Sequence, residues 1–153
     1  MGAKSLARPA TSLYDQDFVI WTEETARLLR EAKFGRIDIE QVAEEIEDMG
    51  KNYRHEVHSR LVVLIHHLLK WRYQPEKRSG SWKATIVTQR RDLASRFEQA
   101  PSLRRILREK LPAVYSDAVE EAAAETGLPE SHFPGGCPFS EQEILDRQFF
   151  PER

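Results

Sequence analysis

The run from Asp38 to Pro75, DIEQVAEEIEDMGKNYRHEVHSRLVVLIHHLLKWRYQP, limits the fold more than any other part of this chain. It reads as one very long helix or two stacked ones, acidic in the first half and apolar almost all round in the second. A helix apolar on every side needs other helices to enclose it. The expected fold class is therefore all-α, a bundle of about four helices around a long central helix. At the helical period Ile39, Val42, Ile46, Tyr53, Val57, Leu61, Leu64, Leu68 and Trp71 share one stripe. Gly50 weakens the middle and allows a kink or short break around Met49 to Lys51.

The remaining elements follow from caps and breakers. A first helix is expected from about Gln16 to Lys33, capped by Asp15, with Phe18, Trp21, Thr25, Leu28 and Leu29 on one face and Gly35 at its end. Asp38 with Gln41 makes a capping-box pattern that opens the central helix at Ile39. A third helix starts near Ser81, turns Trp82, Ile86, Leu93 and Phe97 inward, and stops before Pro101. A fourth is capped by Ser102, buries Leu103, Leu107, Leu111, Val114, Ala118 and Ala122, is kinked at Pro112 and closes at Gly127. Residues 127–153 read as an irregular strap pinned by Phe133, Phe139, Phe149 and Phe150, with one short helix capped by Ser140 and Glu143. The expected organisation is a flexible tail over residues 1–12 followed by a single domain over 13–153.

Charge is segregated, although the chain totals only −2. Asp38 to Asp48 holds six acids and no base, and Asp117 to Glu130 holds five acids and no base. Arg72 to Lys110 holds eleven bases against four acids, a local excess of +7. Such blocks either attract an external polyanion or neutralise one another inside the fold, and in a compact bundle the internal explanation comes first. A single cysteine, Cys137, rules out a disulfide within the chain and fits a reducing compartment. The start MGAKSLARPATS carries no secretory apolar stretch, and Leu6 stands where a myristoylation motif wants Ser or Thr. The longest apolar run, Leu61 to Leu69, is interrupted by His66 and His67 and is too short for a membrane span. The expected location is the cytoplasm of a bacterium, without membrane association.

The segments YDQDF, EEIEDMG, HLLKWRYQP, SW, QRRDL, PSL, AAAETGLP and FPGGCPF follow one another in this order from Leu13 to Pro151. In this the chain resembles the bacterial family known as domain of unknown function 29. The resemblance implies an all-helical single domain of a kind widespread in cyanobacteria and found in proteobacteria. It brings no catalytic residue with it.

Several constellations invite chemistry. In the third helix Gln89 and Arg90 fill the turn between Ile86 and Leu93, so a guanidinium points at the core and needs a partner. A polar layer of Glu45, Arg60, Gln89 and Arg90 is expected, with Glu45 the first choice of carboxylate for Arg90, and a register-fixing ion-pair layer ranks ahead of an active site. Arg60 and His67 lie on one face of the central helix, where an arginine can steady a phosphate and a histidine can move protons. The spacing faintly resembles that of the helical HEPN ribonucleases. Metal motifs are missing: His55 and His58, and Glu44 and Asp48, are close pairs about two turns apart, better read as a solvated face. Cys137 in GGCPF reads as an apolar anchor rather than a reactive thiol, since it has no Cys-x-x-Cys partner.

These readings favour a non-enzymatic module for macromolecular interaction, with an unknown protein partner, no cofactor and no metal, and with homo-oligomers allowed. The first alternative is a nucleic-acid-binding protein that uses Arg72, Lys77, Arg78, Lys83, Arg91, Arg104 and Arg105. The second is a metal-independent ribonuclease built on Arg60 and His67.

Overall fold

A computed structural model describes residues 12–152, and all the regular structure among them is helical. The tail expected over residues 1–12 lies outside the described residues except for Ser12, as do Gly2 and Leu6. Seven α-helices follow in order: α1 Leu13–Gln16, α2 Phe18–Arg30, α3 Ile39–Tyr73, α4 Gly80–Gln99, α5 Arg105–Glu109, α6 Leu111–Thr126 and α7 Glu141–Leu145. Short 3-10 turns at Phe34–Arg36, Pro75–Lys77, Pro101–Arg104 and Glu130–His132 join them. No helix of the described residues is long and apolar enough to cross a membrane. The residues divide at Met49/Gly50 into two compact units, and α3 contributes Ile39 to Met49 to the first and its remainder to the second.

In the first unit the helix expected from Gln16 to Lys33 is α2, Phe18–Arg30, capped by Asp17 rather than Asp15, and the short α1 precedes it. Asp17 takes an extended conformation (φ −154°), ends α1 and caps α2 by accepting a hydrogen bond from the Ile20 amide at 3.0 Å. Asp38 caps the start of α3 in the same way, accepting from Gln41 N at 3.1 Å. The rings of Tyr14, Phe18 and Trp21 cluster with centroids 5.1–5.6 Å apart, and the Tyr14 hydroxyl donates to Glu45.

The second unit holds the core. Val57, Leu61, Leu64, Ile65, Leu68 and Leu69 of α3 are fully buried, and they pack with Ile86, Leu93 and Phe97 of α4, Leu107 of α5, and Val114, Ala118 and Ala122 of α6. This is the enclosure that the apolar second half of α3 requires. Gly50 neither breaks nor interrupts the helix, which runs on for 35 residues. Pro112 does not kink a long fourth helix. The chain leaves helical geometry at Lys110 (φ −112°, ψ 3°), and α6 begins afresh with the proline in its first turn, where no amide hydrogen is needed. Gly127 ends α6 in the left-handed conformation (φ 73°), and its amide bonds back to Ala123. The strap then returns over the core with Phe133 and Phe139 buried and Phe149 and Phe150 packed against it. Its short α7 carries the Ser140–Glu143 capping box.

Candidate functional site

The described residues up to Met49 have little interior. Leu28 is their one buried hydrophobic residue, while Leu13, Phe18, Val19, Ile20, Leu29, Phe34, Ile39, Ile46 and Met49 are exposed. Only two other large apolar residues of the described chain, Tyr53 and Val87, are exposed as well, so nine of eleven fall in this unit. On α3 the exposed positions Ile39, Ile46 and Met49, with the half-buried Val42, repeat at three- and four-residue spacing, the pattern that seats one helix against another. The inward side of the same stretch carries Gln41, buried with its Nε2 unpaired, and Glu45, held by Tyr14. Residues 12–49 contain eleven acids and four bases, a balance of −7.

In the second unit α3 and α6 meet along a polar seam. His58 Nε2 lies 2.8 Å from Asp117 Oδ2, and the Lys70 ammonium donates to Glu125. His66 is 4 % exposed, with Nδ1 3.3 Å from Glu121 and Nε2 3.0 Å from Glu125, neither aligned as a hydrogen bond. Lys70 is buried too, and its ammonium sits 4.4 Å from the centre of the Trp82 ring, which offsets part of its desolvation. Burial pulls the His66 and His67 imidazoles below the ordinary histidine value. Burial alone would raise the Glu125 carboxyl, but the Lys70 hydrogen bond and the charges of His66 and Lys70 prevail and lower it. Within the acidic block Asp117 to Glu130, Glu125 thus finds an internal cation in Lys70. Sequence reasoning missed this seam, although a lysine and a histidine inside the apolar run Leu61–Lys70 were its visible trace.

The expected polar layer separates into unconnected parts. Arg60 lies between α3 and α4, donating to Glu56 and Asp92 at 3.0 Å and to Gln89 at 3.2 Å, and Arg96 joins the same Glu56. Burial would raise the Glu56 carboxyl, but these two arginines outweigh it and lower it. Arg90 is 2 % exposed, as its position in the pattern demands, but its partners differ from the expected carboxylate. Nε donates to Ile144 O at 2.8 Å, Nη1 to Phe149 O at 2.7 Å and Nη2 to Glu143 O at 3.0 Å. The guanidinium therefore takes up the Glu143 and Ile144 carbonyls left open at the end of α7, together with the Phe149 carbonyl beyond it, and ties the strap to α4. Glu45 is engaged by Tyr14 instead.

Arg60 and His67 do not share a partner among the described residues. His67 Nδ1 lies 2.8 Å from Val63 O of its own helix, while the Arg60 donors go to two carboxylates and an amide. Among the described residues no group of three metal-ligating side chains gathers, and His55, His58, Glu44 and Asp48 form no such set.

The basic block is largely engaged. Arg78 donates to Trp71 O and Pro151 O and lies over the Trp71 ring, Arg91 donates to Asp92, and Lys83 and Arg104 lie over Phe150 and Phe97. Arg72 lies over the Tyr73 ring, Lys77 is exposed, and Arg105 borders a cleft of about 290 Å³ with Arg54 and Lys110. A wider cavity of about 650 Å³ opens between the first turns of α6 and the FPGGC segment, lined by Leu111, Tyr115, Val119, Phe133 and Cys137. Tyr115 donates to Pro134 O at 2.5 Å, and burial raises its hydroxyl to about 12. Burial also pushes the Cys137 thiol up, the opposite of activation.

Among curated proteins and solved structures, nothing matches this chain. The family model described as domain of unknown function DUF29 matches residues 13–150, nearly all of the helical fold, and the chain belongs to that family.

Proposed function

We propose that this protein is a non-enzymatic helical interaction module whose residues Leu13 to Met49 form the docking surface for another macromolecule. The observation that carries this reading is the gathering, in that stretch, of nine of the eleven exposed large apolar side chains among the described residues. Apolar surface concentrated in one region marks an interaction site, whereas the same residues scattered singly would mean nothing. The second unit supplies a folded base with its own core. We place this activity in a bacterial cytoplasm.

The two alternatives rank lower. Binding of nucleic acid through Arg72 to Lys110 would have to do without Arg78, Arg90 and Arg91, which already donate to internal acceptors. A ribonuclease on Arg60 and His67 would need both side chains to reach one phosphate, and Arg60 is held by Glu56 and Asp92.

The test is a paired substitution, Ile46→Gln with Met49→Gln, against the control Val87→Gln in the second unit. Partners recovered with the full chain from its native host should be lost with the pair and kept with the control, while the thermal melt of each stays near that of the parent. Recovery that ignores the pair, or a collapse of the melt, would overturn the reading.

A further inference from the structure

The 35 residues of α3 pass from one compact unit into the other at Met49/Gly50, and the helix is barest at that point. Ten residues in succession, Ile46 to His55, are exposed. No other helix of the described residues has more than three exposed residues in a row, and the rest of α3 has no more than two. Ten residues make nearly three turns, so every face of the helix meets water over this length. At the far end of the stretch Arg96 of α4 lies over the Tyr53 ring, and Arg54 borders the cleft beside α5.

Gly50 stands in the middle of the stretch without any of the usual reasons for a glycine. Among the described glycines the left-handed conformation belongs to Gly127 and not to Gly50. No neighbour crowds it, since a Cβ there would meet nothing within 4 Å. It ends no helix, because α3 runs on to Tyr73. What remains is its effect on the helix itself. Glycine has more backbone freedom to lose than any other residue, and it leaves a helix interior about fivefold less favoured than alanine would.

Unwinding the helix here costs little elsewhere. Ile46 and Met49 are already exposed, so opening a turn around Gly50 brings no buried apolar side chain into water. Val57, Leu61 and the residues beyond them keep their own enclosure. A helical stretch this short is marginal in water without packing to hold it. Few buried contacts and solvent-exposed backbone hydrogen bonds mark a segment that opens before the rest.

We infer that α3 opens locally around Gly50, so that the protein carries a hinge between its two units inside one continuous helix. The hinge holds whether or not residues up to Met49 dock a partner. It gives the chain two forms that differ by about one turn of helix, and the enclosed core of the second unit is common to both.

Amide hydrogen exchange, read residue by residue by NMR on the full chain, tests the hinge. Lys51 to Arg54, whose helical hydrogen bonds close around Gly50, should exchange at least about a hundredfold faster than Leu61 to Leu69. Their exchange should be indifferent to low urea, because a local opening exposes little surface, whereas that of Leu61 to Leu69 should quicken. Val42 to Glu45 should be better protected than Lys51 to Arg54. Gly50→Ala, which meets no steric obstacle, should raise the protection of Lys51 to Arg54 about fivefold. Protection of Lys51 to Arg54 equal to that of Leu61 to Leu69, or a urea dependence shared with it, would overturn the hinge. Exchange that Gly50→Ala leaves untouched would overturn it as well. So would equally fast exchange over Val42 to Glu45, since the first half of α3 would then be fraying as a whole.

Discussion

The two halves of α3 share one apolar stripe and treat it in opposite ways. Val57, Leu61, Leu64 and Leu68 are 0 % exposed, whereas Ile39 is 56 % and Ile46 63 % exposed. The spacing is the same and the side chains are of similar size. What differs is the company: the second half is surrounded by α4, α5, α6 and the strap, while α1 and α2 meet the first half through polar groups such as Tyr14 and Glu45. Hydrophobic periodicity thus states which face of a helix is apolar, and is silent on whether this chain or another molecule covers it.

The largest expected effect tests the enclosed half. Arg90→Met should lower stability by about 3–5 kcal/mol in urea unfolding, since it removes a buried cation and leaves the carbonyls of Glu143, Ile144 and Phe149 without their donor. A loss below about 1 kcal/mol would mean that the strap is held mainly by its phenylalanines.

Next comes the core of the stripe itself. Leu64→Ala should cost about 2–5 kcal/mol, because a fully buried leucine leaves a cavity that close-packed neighbours fill only in part. An effect as small as that of an exposed residue would erase the contrast between the two halves.

A smaller, graded effect is expected from pH. His66 and His67 are held below the ordinary histidine value, mainly by burial, so as pH falls the unfolded chain takes up protons before the folded one does. Their contribution to stability is complete above about pH 6.5 and is lost as pH drops below it toward the lowered folded values. Glu125 and Glu56, lowered in the fold, lose theirs only at more acidic pH, so the window from about pH 7 to 5 reports on the histidines. Melting temperature should decline across that window, and His66→Gln should flatten the decline. A melting temperature that rises with acid would show that Glu121 and Glu125 hold His66 charged.

The smallest effect belongs to the open half. Ile46→Gln should change stability by no more than about 0.5 kcal/mol, as for any exposed position away from a special feature. A loss comparable to that of Leu64→Ala would mean that residues up to Met49 depend on this face for their own folding.

Much of this architecture was legible because its signals are local. The Asp38 cap, the Ser140–Glu143 box, the stop at Gly127 and the buried face of α4 each rest on a few neighbouring residues whose chemistry has one common use. The gap between Ile86 and Leu93 likewise betrayed Arg90 as a buried cation. Its partners stayed hidden because they are backbone carbonyls, which every residue has and no side chain advertises. Pro112 was misread for a related reason: a proline fits both a kinked helix and the first turn of a new one, and the choice depends on packing from elsewhere. The outward turn of Ile39, Ile46 and Met49 could not be read at all, since exposure belongs to the assembled molecule and not to the pattern.

The grip of Arg90 on the strap has a consequence for how the protein is made. Its three acceptors lie 53 to 59 residues further along the chain, so a ribosome releases the arginine well before it releases them. During that interval the guanidinium can be satisfied only by water, and the wall of the core beside Leu93 cannot dry. A chain cut short of Glu143 lacks all three acceptors and is expected to stay wet and half-closed, the kind of state that chaperones and proteases recognise. The strap acts as a receipt for complete synthesis, and only a chain that carries it can seal.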